Sequence, residues 1–368
     1  MMMGRFIQLH LLTSYPPANL NRDDLGRPKT AVMGGVPRLR VSSQSLKRAW
    51  RTSEVFSEAL KEHIGTRTKA MGVKVFKALK AKGVADKKAL DWTKSIAGIF
   101  GKLKTLTKKE KEGLKDLDDE ERLAKSMTEL EIEQLVHFSP EELSLIDSLV
   151  DKIASTGEEP GDDELELLRK QHTAADIALF GRMLASSPAY NTEAAAQVAH
   201  AVSVHSVTVE DDYFTAVDDL NSGEEDLGAA HIGETEFAAG LFYLYACIDR
   251  KLLKENLGGD QALCDRTLGA LIECAATVSP TGKQNSFASR ARASYLLCEK
   301  GDQQPRSLSV AFLKPVTGGD LLSDAIKSLE ETMDKMDKVY GVCADERCTM
   351  NATSGEGSLT DIVTCATE

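Results

Sequence analysis

The hydrophobic rhythm of the chain changes several times. Arg5–Leu12 alternates, with Ile7, Leu9 and Leu11 on one side and Gln8 and His10 on the other, and this period of two predicts a half-buried strand. Tyr15–Thr30 is rich in Pro, Asn and Asp and reads as loop. After the turn signals Gly34-Gly35 and Pro37, Arg38-Leu39-Arg40-Val41 alternates again as a short strand. Ser42 and Ser43 then offer N-cap oxygens, and Ser45–Arg51 opens a helix. From Ser43 to about Leu184 the spacing is helical, as in Ile132, Leu135 and Val136.

Past Asp176 the pattern mixes. Val202, Val204, Val207 and Val209 predict strand, and the polar span Asn221–Asp226 predicts a mobile loop. Phe237–Ile248 is an apolar, aromatic run expected to be a buried central strand. Gln261–Ala276 reads as an amphipathic helix, Pro280–Arg292 as a polar loop with three cations and Leu308–Phe312 as a strand. Asp320–Tyr340 reads as a helix, followed by a loose Gly/Ser/Thr-rich tail past Cys343. Strand, helix, strand, strand, helix, strand, interrupted by a helical block, is the ferredoxin-like or RNA-recognition order, so the class is α+β.

Length and composition narrow the function. At 368 residues the chain is expected to form two domains, or one with a large insertion, and its 42% apolar content suffices for a core. No apolar run reaches the ~20 residues a membrane span needs. Met1–Thr13 is broken by Gln8 and His10 and lacks a small-residue cleavage site, so a cytoplasmic protein without membrane contact is expected. The seven cysteines are scattered and odd in number, which favours free thiols in a reducing compartment. Only Cys343 and Cys348 lie close, with no second Cys or His pair at zinc spacing, so neither a metal nor another cofactor is expected.

Charge distribution changes the picture more. The chain carries a net charge of -12, yet Asn21–Arg51 holds Arg22, Arg27, Lys29, Arg38, Arg40, Lys47, Arg48 and Arg51 against Asp23 and Asp24, with Arg5 upstream. A basic island on an acidic protein points to a local polyanion such as a phosphate backbone. The helix start adds unpaired backbone N–H groups and a partial positive charge, with Ser42, Ser43 and Gln44 as neutral donors and Lys47 and Arg51 one turn apart. An ordinary capped helix with a solvated basic face fits the same residues. The helical block is also divided: Arg67–Lys111 is basic and Glu112–Glu166 acidic. That is either two helical faces attracting each other or an insertion whose basic side meets a second polyanion.

Seven segments carry a family likeness: NRDD (21–24), GG-x-PRLRVSSQSLKRAWR (34–51), DIALFGRM (176–183), AHAVSVH (199–205), YFTAVDDL (213–220), AAHIGETEF (229–237) and PTGKQNSFA (280–288). In this order they resemble the CasC family, the repeated guide-RNA-binding backbone subunit of the type I-E CRISPR complex Cascade. The likeness runs from Arg5 to about Pro315 and is weakest over Val55–Lys170 and the tail. It implies a modified RNA-recognition-motif palm (1–54, 176–204 and 238–342), a helical finger insertion (55–175), a thumb hairpin or loop (205–237) and a loose tail (343–368). It also implies copies of the chain stacked head to tail along crRNA, alongside other Cascade subunits and target DNA.

By the same likeness, the contacts to the RNA backbone fall on Arg22, Asp24, Lys29, Ser42, Gln44, Lys47 and Arg51. Met183 would prop a kinked nucleotide, and Phe214 and Ile232 would wedge beside it. On chemistry alone Met183 and Phe214 read as core, whereas Ile232 sits in a Gly/Ala-flanked loop. The family's basic finger residues before DIALFGRM are replaced here by the acidic stretch Glu158–Glu166. Lys102, Lys104, Lys108 and Lys109 are therefore the candidates to face DNA. The expected function is a non-catalytic scaffold. The alternatives are a metal-independent endoribonuclease, whose histidine or lysine general base would come from the pair His10 and Lys47, or a general single-strand RNA-binding protein on the same fold.

Overall fold

The computed structural model describes residues 4–108, 110, 125, 127–216 and 231–368. In chain order come β1 (Phe6–Ala18), β2 (Thr30–Met33), β3 (Val36–Val41), α1 (Ser43–Arg51), α2 (Glu54–Leu60), β4 (Thr66–Thr68), α3 (Met71–Ala81) and α4 (Asp86–Gly98). Then follow β5 (Val136–Phe138), α5 (Pro140–Thr156), α6 (Ala175–Phe180), β6 (Ala196–Val198), β7 (Ala201–Ser203), β8 (Glu210–Ala216) and β9 (His231–Asp249). The last elements are α7 (Arg250–Asn256), α8 (Gln261–Thr277), α9 (Gln284–Phe287), β10 (Ala293–Gly301), α10 (Leu321–Tyr340), β11 (Glu346–Asn351) and α11 (Leu359–Thr367). Helix and antiparallel sheet are mixed, as the α+β reading expects.

The chain divides into two compact units. The first comprises Met1–Ala59, Ala196–Arg250 and Asp265–Glu368. Its sheet runs β11-β10-β1-β9-β7-β3-β2, with β6 and β8 also pairing with β9. The apolar run at Phe237–Ile248 lies within the long strand β9, which pairs with β1 on one side and with β6 and β7 on the other. β1 itself is covered on both faces. Ile7, Leu9 and Leu11 are buried, and so are Gln8 and His10. The alternation therefore marks two different buried layers rather than a solvent face.

The polar layer is a charge network. His10 Nε2 lies 3.1 Å from Glu299 Oε2 and its Nδ1 2.8 Å from the Tyr243 hydroxyl. Arg306 donates to both oxygens of Glu299, and Arg347 donates to Glu299 and Asp337. Burial on its own would raise the Glu299 carboxyl pKa. Hydrogen bonds from His10 and Arg306, with the charge of Arg306, outweigh it and hold the group well below the usual carboxylate range. Burial pushes the His10 imidazole down.

Three sequence expectations fail here for tertiary reasons. Tyr15–Ala18 is strand, not loop, because β9 extends far enough to pair with Tyr15 and Ala18, the register slipping across Pro16-Pro17, which have no N–H to give. Leu308–Phe312 is not a strand. Ser309–Phe312 forms a 3-10 turn whose Phe312 enters the apolar cluster under α10 with Leu329, Tyr243 and Leu12. The tail is not loose. β11 pairs with β10, a strand the hydrophobic pattern left unassigned, and Cys348 on β11 forms a disulfide with Cys365 on α11. The two cysteines are therefore not free thiols. Glu346 lies with them in a group of metal-ligand type, but paired sulfurs offer no thiolate.

The second unit comprises Leu60–Ala195 and Lys251–Cys264, longer than the 55–175 block read from sequence. Met71, Phe76, Trp92, Phe100, Phe138 and Ile146 form its core, with the Phe100 and Phe138 rings edge to face at 4.8 Å. α5 starts with a capping box, Ser139 and Glu142, and Pro140 at its first turn, and it ends at the left-handed Gly157. Glu142 also receives Arg182, a pair buried on both sides. Basic and acidic halves meet as ion pairs, Lys74–Asp147 at 3.0 Å and Lys82–Asp151 at 2.8 Å, so much of the charge division serves attraction within the unit. Among the described residues no helix is long and apolar enough to cross a membrane.

Candidate nucleic-acid interface

The basic island of the first unit folds into a rim around the start of α1. Asn21 stitches it together. Its backbone carbonyl accepts from the Lys29 N–H at 2.8 Å, and its Oδ1 accepts from the Ser42 N–H at 2.9 Å. The Arg40 N–H donates to the Lys29 carbonyl at 2.8 Å. The loop that carries Arg22 and Asp24 is thereby tied to β3 and to the N-cap of α1. Within the loop, Asp23 Oδ1 accepts from the Leu25 and Arg27 amides and Oδ2 takes the Arg27 guanidinium at 3.3 Å, which engages both side chains locally. Arg22 and Asp24 remain exposed.

The helix start is more occupied than its sequence suggests. Ser42 is the N-cap and its Oγ accepts from the Ser45 N–H at 3.3 Å. The Ser43 N–H donates to Nδ1 of His200 at 2.9 Å. Two of the first three helical N–H groups are therefore engaged, and the expectation of an open, unpaired helix terminus is corrected. Gln44 is exposed, and Lys47 and Arg51 are half-buried. Burial pushes the Lys47 ammonium pKa down. Burial, then the charges of Arg40 and Lys29, push His200 down.

Arg38 leaves the basic set altogether. It is fully buried and donates to the carbonyls of Met33, Ser203 and Phe312, joining β2, β7 and the 3-10 turn. An open cleft lies beside the rim, lined by Leu20–Asp24, Gly26, Ser45, Thr281 and Gly282. A Cβ on Gly282 would stand 2.2 Å from the Leu20 carbonyl oxygen, so only glycine lets loop 280–292 close that wall.

The other expected residues fall into separate places. Met183, in the second unit, is 76% exposed, which removes the core reading. Phe214 on β8 is 44% exposed and pairs across the hairpin with Gly233, against whose Cα face its ring lies. Ile232 belongs by its backbone to β9, opposite Thr215, rather than to a loop. Its side chain, like residues 217–230 with Asn221–Asp226, lies outside the described residues. Lys102 pairs with Glu133 at 2.9 Å and Lys104 with Glu131 at 2.6 Å. Lys108 is exposed, and Lys109 lies outside the described residues. His10 is sealed in the sheet with no exposure. Arg40 is counted in the basic island without being singled out as a contact, and His200 is missed, because its link to Ser43 spans 157 residues and leaves no local signal.

The fold recurs in solved structures. The chain is similar to one from the structure of a CRISPR RNA-guided surveillance complex, pre-nicking, with 27% identity and a TM-score of 0.82 over 98% of this chain and 100% of that one. A chain from a CRISPR RNA-guided surveillance complex matches with 25% identity and a TM-score of 0.58 over 97% and 92%. The chain belongs to the CT1975-like protein family of Cas proteins, which it matches over residues 7–365. Comparison with curated proteins gives no match.

Proposed function

We propose that this protein is a non-catalytic backbone subunit of a type I-E CRISPR surveillance complex that binds crRNA along its phosphate backbone. The observation that carries this reading is the rim itself. Arg22, Lys29, Arg40 and Lys47 gather around one helix start on a chain of net charge -12. Such a rim suits phosphate and sugar and leaves base edges free to pair, as a scaffold for any guide requires. The likeness to chains of RNA-guided surveillance complexes supports the same partner. In this reading the first unit is the modified RNA-recognition palm and the second the finger insertion. The hairpin of β8 and the start of β9 is the thumb, whose Phe214 and Ile232 wedge at a kinked nucleotide, with Met183 as its prop. Copies stack along the RNA beside other Cascade subunits and present it to target DNA. Lys102 and Lys104 would have to exchange Glu133 and Glu131, respectively, for DNA, so Lys108 is the better DNA-facing candidate among the described residues.

Against an endoribonuclease using His10 stands its burial and its bonds to Tyr243 and Glu299. The test is to purify the protein alone and add repeat-spacer RNA. Sequence-tolerant, cooperative binding that weakens steeply with salt is expected, without cleavage. Protein that ignores the RNA, or cuts it at one site, overturns the proposal.

A further inference from the structure

His200 sits in the bend between β6 and β7, outside every contact the family likeness assigns. Its backbone is fixed nearby, because the Ala199 N–H donates to the Tyr245 carbonyl at 2.9 Å. The ring is exposed. Its Nδ1 lies 2.9 Å from the Ser43 nitrogen. A backbone N–H can only donate, so Nδ1 must be the unprotonated acceptor of the imidazole, and the single ring proton resides on Nε2. The tertiary structure has therefore chosen one tautomer and turned its N–H donor away from the helix.

The groups around the ring are cationic. Lys29 precedes β2 and Arg40 ends β3, joined through the Arg40 N–H and Lys29 carbonyl. The partial burial of the ring, then the charges of Arg40 and Lys29, push its pKa down, in line with the neutral ring that the Ser43 bond requires. A neutral donor that feels two nearby cations is what an anion with several oxygens can use without adding a third like charge to the free protein. The first helical amides are not the receiving groups, since His200 and Ser42 already take two of them.

Resting on the RNA-backbone reading above, we propose that His200 is a further guide-RNA contact. It donates Nε2–H to a phosphodiester oxygen held between Lys29 and Arg40 while Nδ1 caps the first amide of α1. The ring has two tasks at its two nitrogens, and substitutions can separate them. In His200→Asn the amide oxygen falls near the position of Nδ1, so the cap survives and the outer donor is lost. In His200→Gln the amide nitrogen reaches the position of Nε2, so the outer donor survives.

The experiment measures fluorescence anisotropy of a fluorescein-labelled oligouridylate with the full chain, beside thermal melting of each variant. His200→Asn is expected to melt like the wild type and to bind more than about tenfold more weakly, the loss of one charge-assisted hydrogen bond. His200→Gln is expected to bind within about twofold of the wild type. A His200→Asn variant that binds as the wild type does overturns the contact and leaves the ring a cap. Should both variants melt early, the pH dependence decides. A bound phosphate raises the ring pKa, whereas the Ser43 bond acts equally in free and bound protein and cancels. Wild-type affinity should therefore rise as pH falls through the imidazole range, and that rise should be absent in His200→Asn. Equal pH profiles overturn the proposal. Wild-type protein that does not bind oligouridylate at all overturns the RNA reading itself, and this contact with it.

Discussion

Arg347 on β11 donates its Nε to Oε1 of Glu299, its register partner on β10, at 2.8 Å. That one bond ties a tail segment to the buried heart of the sheet. Glu299 simultaneously holds His10 of β1 and Arg306, and Arg347 reaches on to Asp337 at the end of α10. Glu299→Gln should leave these cations around a neutral group and lower stability by about 3 kcal/mol in urea unfolding.

The pH dependence of the same group has a definite sign. The folded-state pKa of Glu299 lies below its ordinary value of 4.5, so its contribution is fully present above that value. It is lost as pH falls through the lower folded-state value. Acid unfolding of the wild type should therefore steepen below the ordinary carboxylate range, and Glu299→Gln should flatten that part of the curve.

Lys47 is half-buried and its ammonium is held down by burial, which a bound phosphate would reverse. Lys47→Ala should weaken binding to single-stranded RNA uniformly across sequences and reduce the slope of log affinity against log salt by about 1. Circular dichroism and the melting temperature should stay as in the wild type. An unfolded Lys47→Ala protein would instead make the residue part of the helix's structural support.

Phe214 and Gly233 are paired across the β8–β9 hairpin, and a Cβ at 233 would stand 2.4 Å from the far carbon of the ring. Gly233→Ala must therefore displace Phe214. β8 is exposed along its whole length, so the core should not register the change. Both Gly233→Ala and Phe214→Ala should weaken RNA binding about tenfold with unchanged melting, as expected for losing one apolar wedge.

The Cys348–Cys365 disulfide closes a separation of 17 residues between β11 and α11. Reduction, or Cys365→Ser, should lower stability by about 3 kcal/mol on the chain-entropy argument. Limited proteolysis should then open the segment 352–368 first, and dithiothreitol should have no further effect on Cys365→Ser.

Much of this was legible along the chain because its causes are local. The apolar run of β9, the Ser42 cap of α1, the helix at 321–340 and the clustering of cations at 21–51 each depend on residues within a turn or two of one another. Packing over long separations decided the rest. β1 looked half-exposed because the burial of its polar side depends on Glu299, Arg306 and Arg347, about 290 residues away and beyond. The tail looked loose because its order comes from an edge strand and a disulfide, not from its own composition. Within the candidate site, the sequence determined that the cations cluster. Only the tertiary structure decided which of them face outward. Arg38 turns inward onto three carbonyls and Arg27 folds onto Asp23, while His200 arrives from a distant bend to stand beside Lys29 and Arg40. The physical reason is that charge is a property of the residue, whereas exposure and hydrogen-bond partners belong to the packed neighbourhood.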